Sequence, residues 1–247
     1  MISWLDWLTT IDYRACTSPR AWCTLLMLCA LGCMDGPLHA LKRANPVFHK
    51  QRAADRALGP TYSDRMAELK LLDDRIAGMT PQAQSQWVAV LSKLIEKEPS
   101  AEMRAHAALV ISRVNLPEAQ QSLNLASTDE IEKVRIAACK AWRKQPEDAA
   151  RTMLLNLARS DDSVHVRQAA IESLASFDSP DTRAAMVELL DDRSPAIQLR
   201  TALALQEITG RNYGGDFEAW KKFIGGEDVP EPPSSTARLI DAIPLIR

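Results

Sequence analysis

Alternation of apolar and polar β-branched residues, the mark of a half-buried strand, is missing throughout this chain, which excludes a sheet-based fold. A basic excess is missing too. Thirty Lys and Arg stand against 32 Asp and Glu, a net charge of −2, and across residues 80–210 acids slightly outnumber bases. Such a balance argues against a sequence-independent nucleic-acid surface, which needs cations clustered against phosphate. No H-E-x-x-H, C-x-x-C, G-x-S-x-G or Gly-rich phosphate loop occurs. Cysteine is nearly absent from the body: Cys16, Cys23, Cys29 and Cys33 crowd the first 33 residues and Cys139 stands alone, so no internal disulfide is available there. Beside Ala138 and Trp142, Cys139 reads as a small buried hydrophobe rather than a nucleophile.

What the chain does have is a repeat. Arg104, Arg135, Arg167 and Arg200 follow one another at 31, 32 and 33 residues, each after an apolar residue and within an Ala-containing helical stretch. Six residues before them stand Glu98, Asp129, Asp161 and Ser194. A near-constant period of this size means one supersecondary unit copied along the chain, each copy burying its apolar face only by stacking on its neighbours. Pro81, Pro117, Pro146, Pro180 and Pro195 mark helix starts, because a first helical turn tolerates a missing N–H. Trp87, Val90, Leu91, Leu94 and Ile95 form one apolar stripe, and Met153, Leu154 and Leu157, then Val166, Ala169, Ala170, Ser173 and Leu174, form the next. Small residues at 107, 137, 138, 169, 170 and 202 allow the second helices of successive pairs to approach closely.

Over residues 80–210 this pattern resembles the HEAT repeat, in its short bacterial form akin to the phycobilin-lyase repeats. The resemblance implies an all-α, right-handed α-solenoid of about four helix pairs. It also implies a ladder between units, built from Glu98, Asp129 and Asp161 in the turns and Arg104, Arg135, Arg167 and Arg200 on the helices. The last rung, at Ser194 and Arg200, is expected to be the weakest unless Asp191 or Asp192 substitutes. Read as structural ion pairs, these groups set registry between units more than bulk stability. None of His39, His49, His106 and His165 is followed by Glu, so the His-Glu pairs of deoxyhypusine hydroxylase, the HEAT-like di-iron enzyme, are not present. His165 beside Asp161 and Asp162 is a weak metal candidate, and the acid pairs Asp73-Asp74, Asp161-Asp162 and Asp191-Asp192 are assigned to solvent.

The ends differ from the middle. Ala21 to Leu31 is an uncharged run of 11 residues, too short to span a bilayer and suited to a secretory leader. The following Ala30-Leu31-Gly32-Cys33 resembles a bacterial lipobox, which implies cleavage before Cys33 and lipid on its thiol. Residues 1–32 are then a signal peptide, 33–60 a basic linker, 61–226 the solenoid and 227–247 a Pro-containing tail in which 239–246 is a docking segment. The helix from Thr61 to Met79 caps one end; Phe217, Trp220 and Phe223, on a short helix capped by Asp216, cover the other. The expected function is a non-catalytic protein-binding scaffold without cofactor or metal, lipid-anchored in a bacterial cell envelope, with protein partners and no nucleic acid. A HEAT-like enzyme or enzyme subunit, and a cytoplasmic assembly factor without lipid, are the alternatives that the sequence leaves open.

Overall fold

The structure is a computed structural model that describes residues 46–57 and 59–232; the expected signal peptide over 1–32, the expected lipidation site Cys33 and the expected docking segment over 239–246 lie outside the described residues. The chain divides into two compact units, Met1–Tyr62 and Ser63–Arg247. In the first, the described element is helix α1, Pro46–Ala57, within the stretch expected to be linker. Pro46 takes the opening helical position and Ala53, Ala54 and Ala57 favour helix, so local propensity prevails over the basic composition.

The second unit is helical throughout its described residues. After α2 (Tyr62–Arg75) and a 3₁₀ turn come four pairs: α3 (Pro81–Lys97) with α4 (Ala101–Ile111), α5 (Pro117–Ser127) with α6 (Glu132–Trp142), α7 (Glu147–Ser160) with α8 (Val164–Leu174), and α9 (Pro180–Val187) with α10 (Pro195–Thr209). A short α11 (Phe217–Ile224) follows. Local chemistry accounts for the boundaries. Pro occupies the first turn of α3, α5, α9 and α10, and the side chains of Thr80, Ser100, Ser163 and Ser179 accept backbone N–H groups at the starts of α3, α4, α8 and α9. At the end of α10 the chain needs a left-handed residue, and Gly210 supplies it with φ of 70°.

The second helices pack in one continuous row, α4 on α6, α6 on α8 and α8 on α10, and each also packs on its own first helix. The row of first helices is looser: α3 meets α5 closely, while α7 and α9 touch lightly. Small residues make the tight row possible, since Ala107, Ala138 and Ala170 have no exposed surface and Ala137 and Ala202 are also buried. Between the rows lies one core of Leu91, Ile95, Val110, Ile111, Leu123, Val134, Trp142, Leu154, Val166, Ile171, Leu174, Met186, Ile197 and Leu205. At the far end Trp220 is fully buried against Tyr213, ring centroids 5.0 Å apart in a T-shaped contact, and its indole N–H donates to the Gly214 carbonyl. The Tyr213 hydroxyl donates to the Val229 carbonyl at 2.9 Å and Arg211 pairs with Glu231 at 3.1 Å, so the beginning of the expected free tail is tied to the cap.

One stripe is rotated from its expected position. On α3 the buried side chains are Val88, Leu91 and Ile95, whereas Trp87 is 39% and Val90 52% exposed. Helical spacing marks both sets equally well; contact with α4 and α5 selects the one that faces the core. Leu123→Ala is therefore expected to cost about 2–5 kcal/mol, and Val90→Ser less than about 0.5 kcal/mol, compared by urea unfolding of the two variants.

Candidate functional site

The recurrent arrangement in this molecule lies at the loop between the two helices of each pair. Ser100, Ile131, Ser163 and Ser194 immediately precede α4, α6, α8 and α10, and their carbonyls accept the N–H of Arg104, Arg135, Arg167 and Gln198 at 3.1, 3.4, 3.1 and 3.1 Å. Two residues before each stands an acid, Glu98, Asp129, Asp161 or Asp192, whose carboxylate accepts the N–H of Ser100, Ile131, Ser163 or Ser194 at 3.4, 2.9, 2.9 and 2.8 Å. These local turns hold each carboxylate at a helix start. They also give the register of the repeat.

Each arginine reaches forward to the acid of the next unit. Arg104 meets Asp129 through Nε and Nη2, both at 2.8 Å, while its Nη1 donates to the carbonyls of Glu98 and Pro99 in its own loop. Arg135 repeats the arrangement with Asp161 at 2.8 and 3.0 Å and the carbonyls of Asp129 and Glu130. Arg167 pairs with Asp192 through Nη2 alone, its Nε turning to the Ala158 carbonyl at 2.7 Å. The paired carboxylate and guanidinium are well covered, with side-chain exposures of 8% for Arg104 and 9% for Asp129. Fork-to-carboxylate bonding of this kind satisfies the donors of a charge removed from water. Burial by itself pushes the Asp129 carboxyl up, but the Arg104 guanidinium and the Ile131 N–H outweigh it and hold its pKa below the ordinary value; Asp192 is lowered in the same way by Arg167 and the Ser194 N–H. The Asp129 hydrogen bond holds Arg104 above its ordinary range against the opposing effect of burial.

Two residues that carry this line escape the repeat as read from spacing. Arg65, at the fourth position of α2, pairs with Glu98, so the line begins one helix earlier. Its position matches Arg104, Arg135 and Arg167, each fourth in its own helix, and that was the available signal. At the other end Asp192, not Ser194, takes the acidic position. Arg200 falls off the line: it lies two residues beyond Gln198, a turn of about 200° around the helix, and pairs at 2.7 Å with Glu172 on the outer face. The true spacing of the last unit is 31 residues, from Arg167 to Gln198. The acid pairs expected to face solvent are also engaged, through Asp73 with Arg113 in the first, Asp161 with Arg135 in the second, and both Asp191 with Lys221 and Asp192 with Arg167 in the third.

Outside the line, further pairs join the exposed faces of consecutive second helices. Glu102 meets Lys133, His165 Nδ1 lies 3.1 Å from Glu132, and Glu172 meets Arg200. His165 is 74% exposed. Among the described residues no group of three or more His, Cys, Asp and Glu side chains is placed to hold a metal. The Cys139 thiol is buried, donates to the Val166 carbonyl at 3.9 Å, and is pushed by burial up to about 12, so it carries little thiolate near neutrality.

Removing one partner of a covered pair leaves a charge uncompensated, so Arg104→Ala is expected to cost about 3 kcal/mol, against less than about 1 kcal/mol for Arg200→Ala, read from denaturant midpoints. The lowered carboxyls also set a pH dependence. Asp129 binds its proton more readily unfolded than folded, so its contribution is complete above the unfolded value of about 3.9 and is lost as pH falls through the folded value. In acid titrations followed by circular dichroism, Asp129→Asn is expected to be less stable than wild type at neutral pH and to show a shallower loss below about pH 4.

Residues 151–213 match the model of the family described as HEAT repeats. No curated protein matches the chain by sequence. Among solved structures it is similar to a designed armadillo repeat protein, YIII(Dq.V1)4CPAF, in complex with the peptide (KR)4, at 19% identity and a TM-score of 0.40 over 67% of this chain and 83% of that one. The matched segment lies inside a stack of like helix pairs, so the chain is an α-solenoid of which residues 151–213 are similar to HEAT repeats.

Proposed function

We propose that this chain is a non-catalytic protein-binding scaffold, anchored in a bacterial envelope by lipid on Cys33, with the outer face of the second-helix row as its binding surface. One contrast carries this reading. At the buried register position Met103, Val134, Val166 and Ile197 are all apolar and have at most 1% exposure. At the position five residues past the ladder residue, by contrast, stand half-buried Leu109 and exposed Lys140, Glu172 and Leu203, and at the position one past it buried Ala105, half-buried Ile136 and Gln168, and exposed Leu199. A constant interior with a changing exterior is the economy of a repeat protein whose successive units each present a different contact to one elongated partner. The cross-helix pairs Glu102–Lys133, Glu132–His165 and Glu172–Arg200 keep the neighbouring faces contiguous, so side chains from four helices address a partner together.

The anchor and the surface are tested in the same cells. Wild type is expected to incorporate labelled palmitate and to retain specific proteins on crosslinked pull-down from membranes. Cys33→Ala loses the label. Lys140→Glu combined with Glu172→Lys, both at exposed positions, keeps the label and the thermal midpoint to within a few degrees but loses the proteins. Retention unchanged in that double variant counts against this surface, and an unlabelled wild type counts against the anchor.

A further inference from the structure

The end of α6 and the turn that follows carry Lys140, Arg143 and Lys144, all exposed and set three and four residues apart, so the cations share one side of the helix end. At the same three places in the repeat α4 has one cation, Arg113, while α8 and α10 each have one acid, Glu172 and Glu207, and no cation. The negative end of a helix favours cations. Being common to all four helices, it does not account for three on one of them. Like charges four residues apart also repel, so the arrangement is unfavourable to the isolated chain.

Charge compensation between units is broken at this point. Arg113 is held by Asp73 through Nε and Nη2 at 2.8 and 3.0 Å, and one unit on from α6 Ser176 accepts from Arg143 Nε at 2.8 Å. The residue that the register sets against Lys144 is Ser112, whose hydroxyl donates to the Leu109 carbonyl instead. Among the described residues Lys140, Arg143 and Lys144 form no ion pair. The acids that follow them in sequence are occupied elsewhere: Arg151 takes Glu147 and Asp148, and Glu147 also accepts from Ser179 and Thr182. Burial and the Arg113 and Arg143 guanidiniums lower the Lys144 pKa against the opposing charge of Asp73, so its ammonium is left short of negative charge.

We propose that Lys140, Arg143 and Lys144 receive a short acidic segment of the protein partner, one carboxylate on the terminal nitrogens of Arg143 and another between the two lysines. The assignment rests on the scaffold reading and gives its partner a chemistry. Ser176 already holds Arg143 by Nε, which leaves the terminal nitrogens for a charge-assisted pair. Charge also limits the length of the occupant. Along the row the cluster is bounded by Asp73 and Asp74 on one side and by Glu172 and Glu207 on the other, so a peptide with two or three acids is matched, whereas a uniform polyanion such as nucleic acid meets repulsion in both directions.

The test uses purified full-length chain and a short peptide with three central glutamates, or its glutamine counterpart, each tagged with a neutral fluorophore and followed by anisotropy. The glutamate peptide is expected to bind, more weakly as salt rises, and the glutamine peptide not to bind. Arg143→Ala combined with Lys144→Ala, both at exposed positions, is expected to keep the thermal midpoint and weaken binding about tenfold. Arg193→Ala, which removes an exposed cation from another unit, is expected to change nothing. Absence of glutamate-peptide binding, equal binding of the glutamine peptide, undiminished binding in the double variant or an equal loss in Arg193→Ala overturns the proposal, as does tighter binding of single-stranded DNA with the same number of charges. The scaffold reading fails by a different result, wild type retaining no protein from membranes.

Discussion

The interaction on which the stack depends is the forward reach of an arginine to the carboxylate of the next helix pair. Hydrophobic burial alone does not specify how one pair is rotated or shifted against another, because apolar contact is non-directional. The guanidinium fork does. Arg104 and Arg135 each tie the carbonyls of their own loop to the acid of the following loop, and that acid is already fixed by the N–H at its helix start. Every unit is thereby indexed to its neighbour at the same point. Net stabilisation by such covered pairs is modest compared with an apolar replacement, while loss of one partner is expensive, so the line acts as a register device more than as a source of bulk stability.

Around that index the second helices settle into a tight row through alanines, and the first helices accommodate larger side chains with less contact between them. The ends are closed by different means. Arg65 of α2 supplies the first arginine to Glu98, and the last acid, Asp192, receives Arg167 without passing a further arginine onward, since Gln198 stands in its place. Tyr213, Trp220 and Phe223 then cover what would otherwise be an exposed helix pair. Terminal units of a repeat stack are atypical because they have a neighbour on one side only.

How much of this was legible in sequence varies with the range of the interaction. The helix starts are local, and Pro81, Pro117 and Pro180 mark them directly. The candidate line was readable for Glu98, Arg104, Asp129, Arg135, Asp161 and Arg167 as residue types at a fixed period. Arg65 was missed because the helix it belongs to lacks the Ala-rich context of the later copies, and Arg200 was included because a nearby arginine imitated the period two residues out of phase. Trp87 and Val90 belong to the apolar stripe that spacing marks and yet stay exposed, because a helix has no intrinsic inner side; only its neighbours give it one.

By itself, then, the sequence determined the class of fold: helix-compatible periods, proline starts, acids at helix entries and a copied unit of about thirty residues all act within a few turns of chain. Tertiary structure decided which acid each arginine takes, which side of α3 is covered, and which leucines of α10 remain outside. Those outcomes depend on the displacement between one pair and the next, a quantity set by packing of side chains distant in sequence, and no local pattern encodes it.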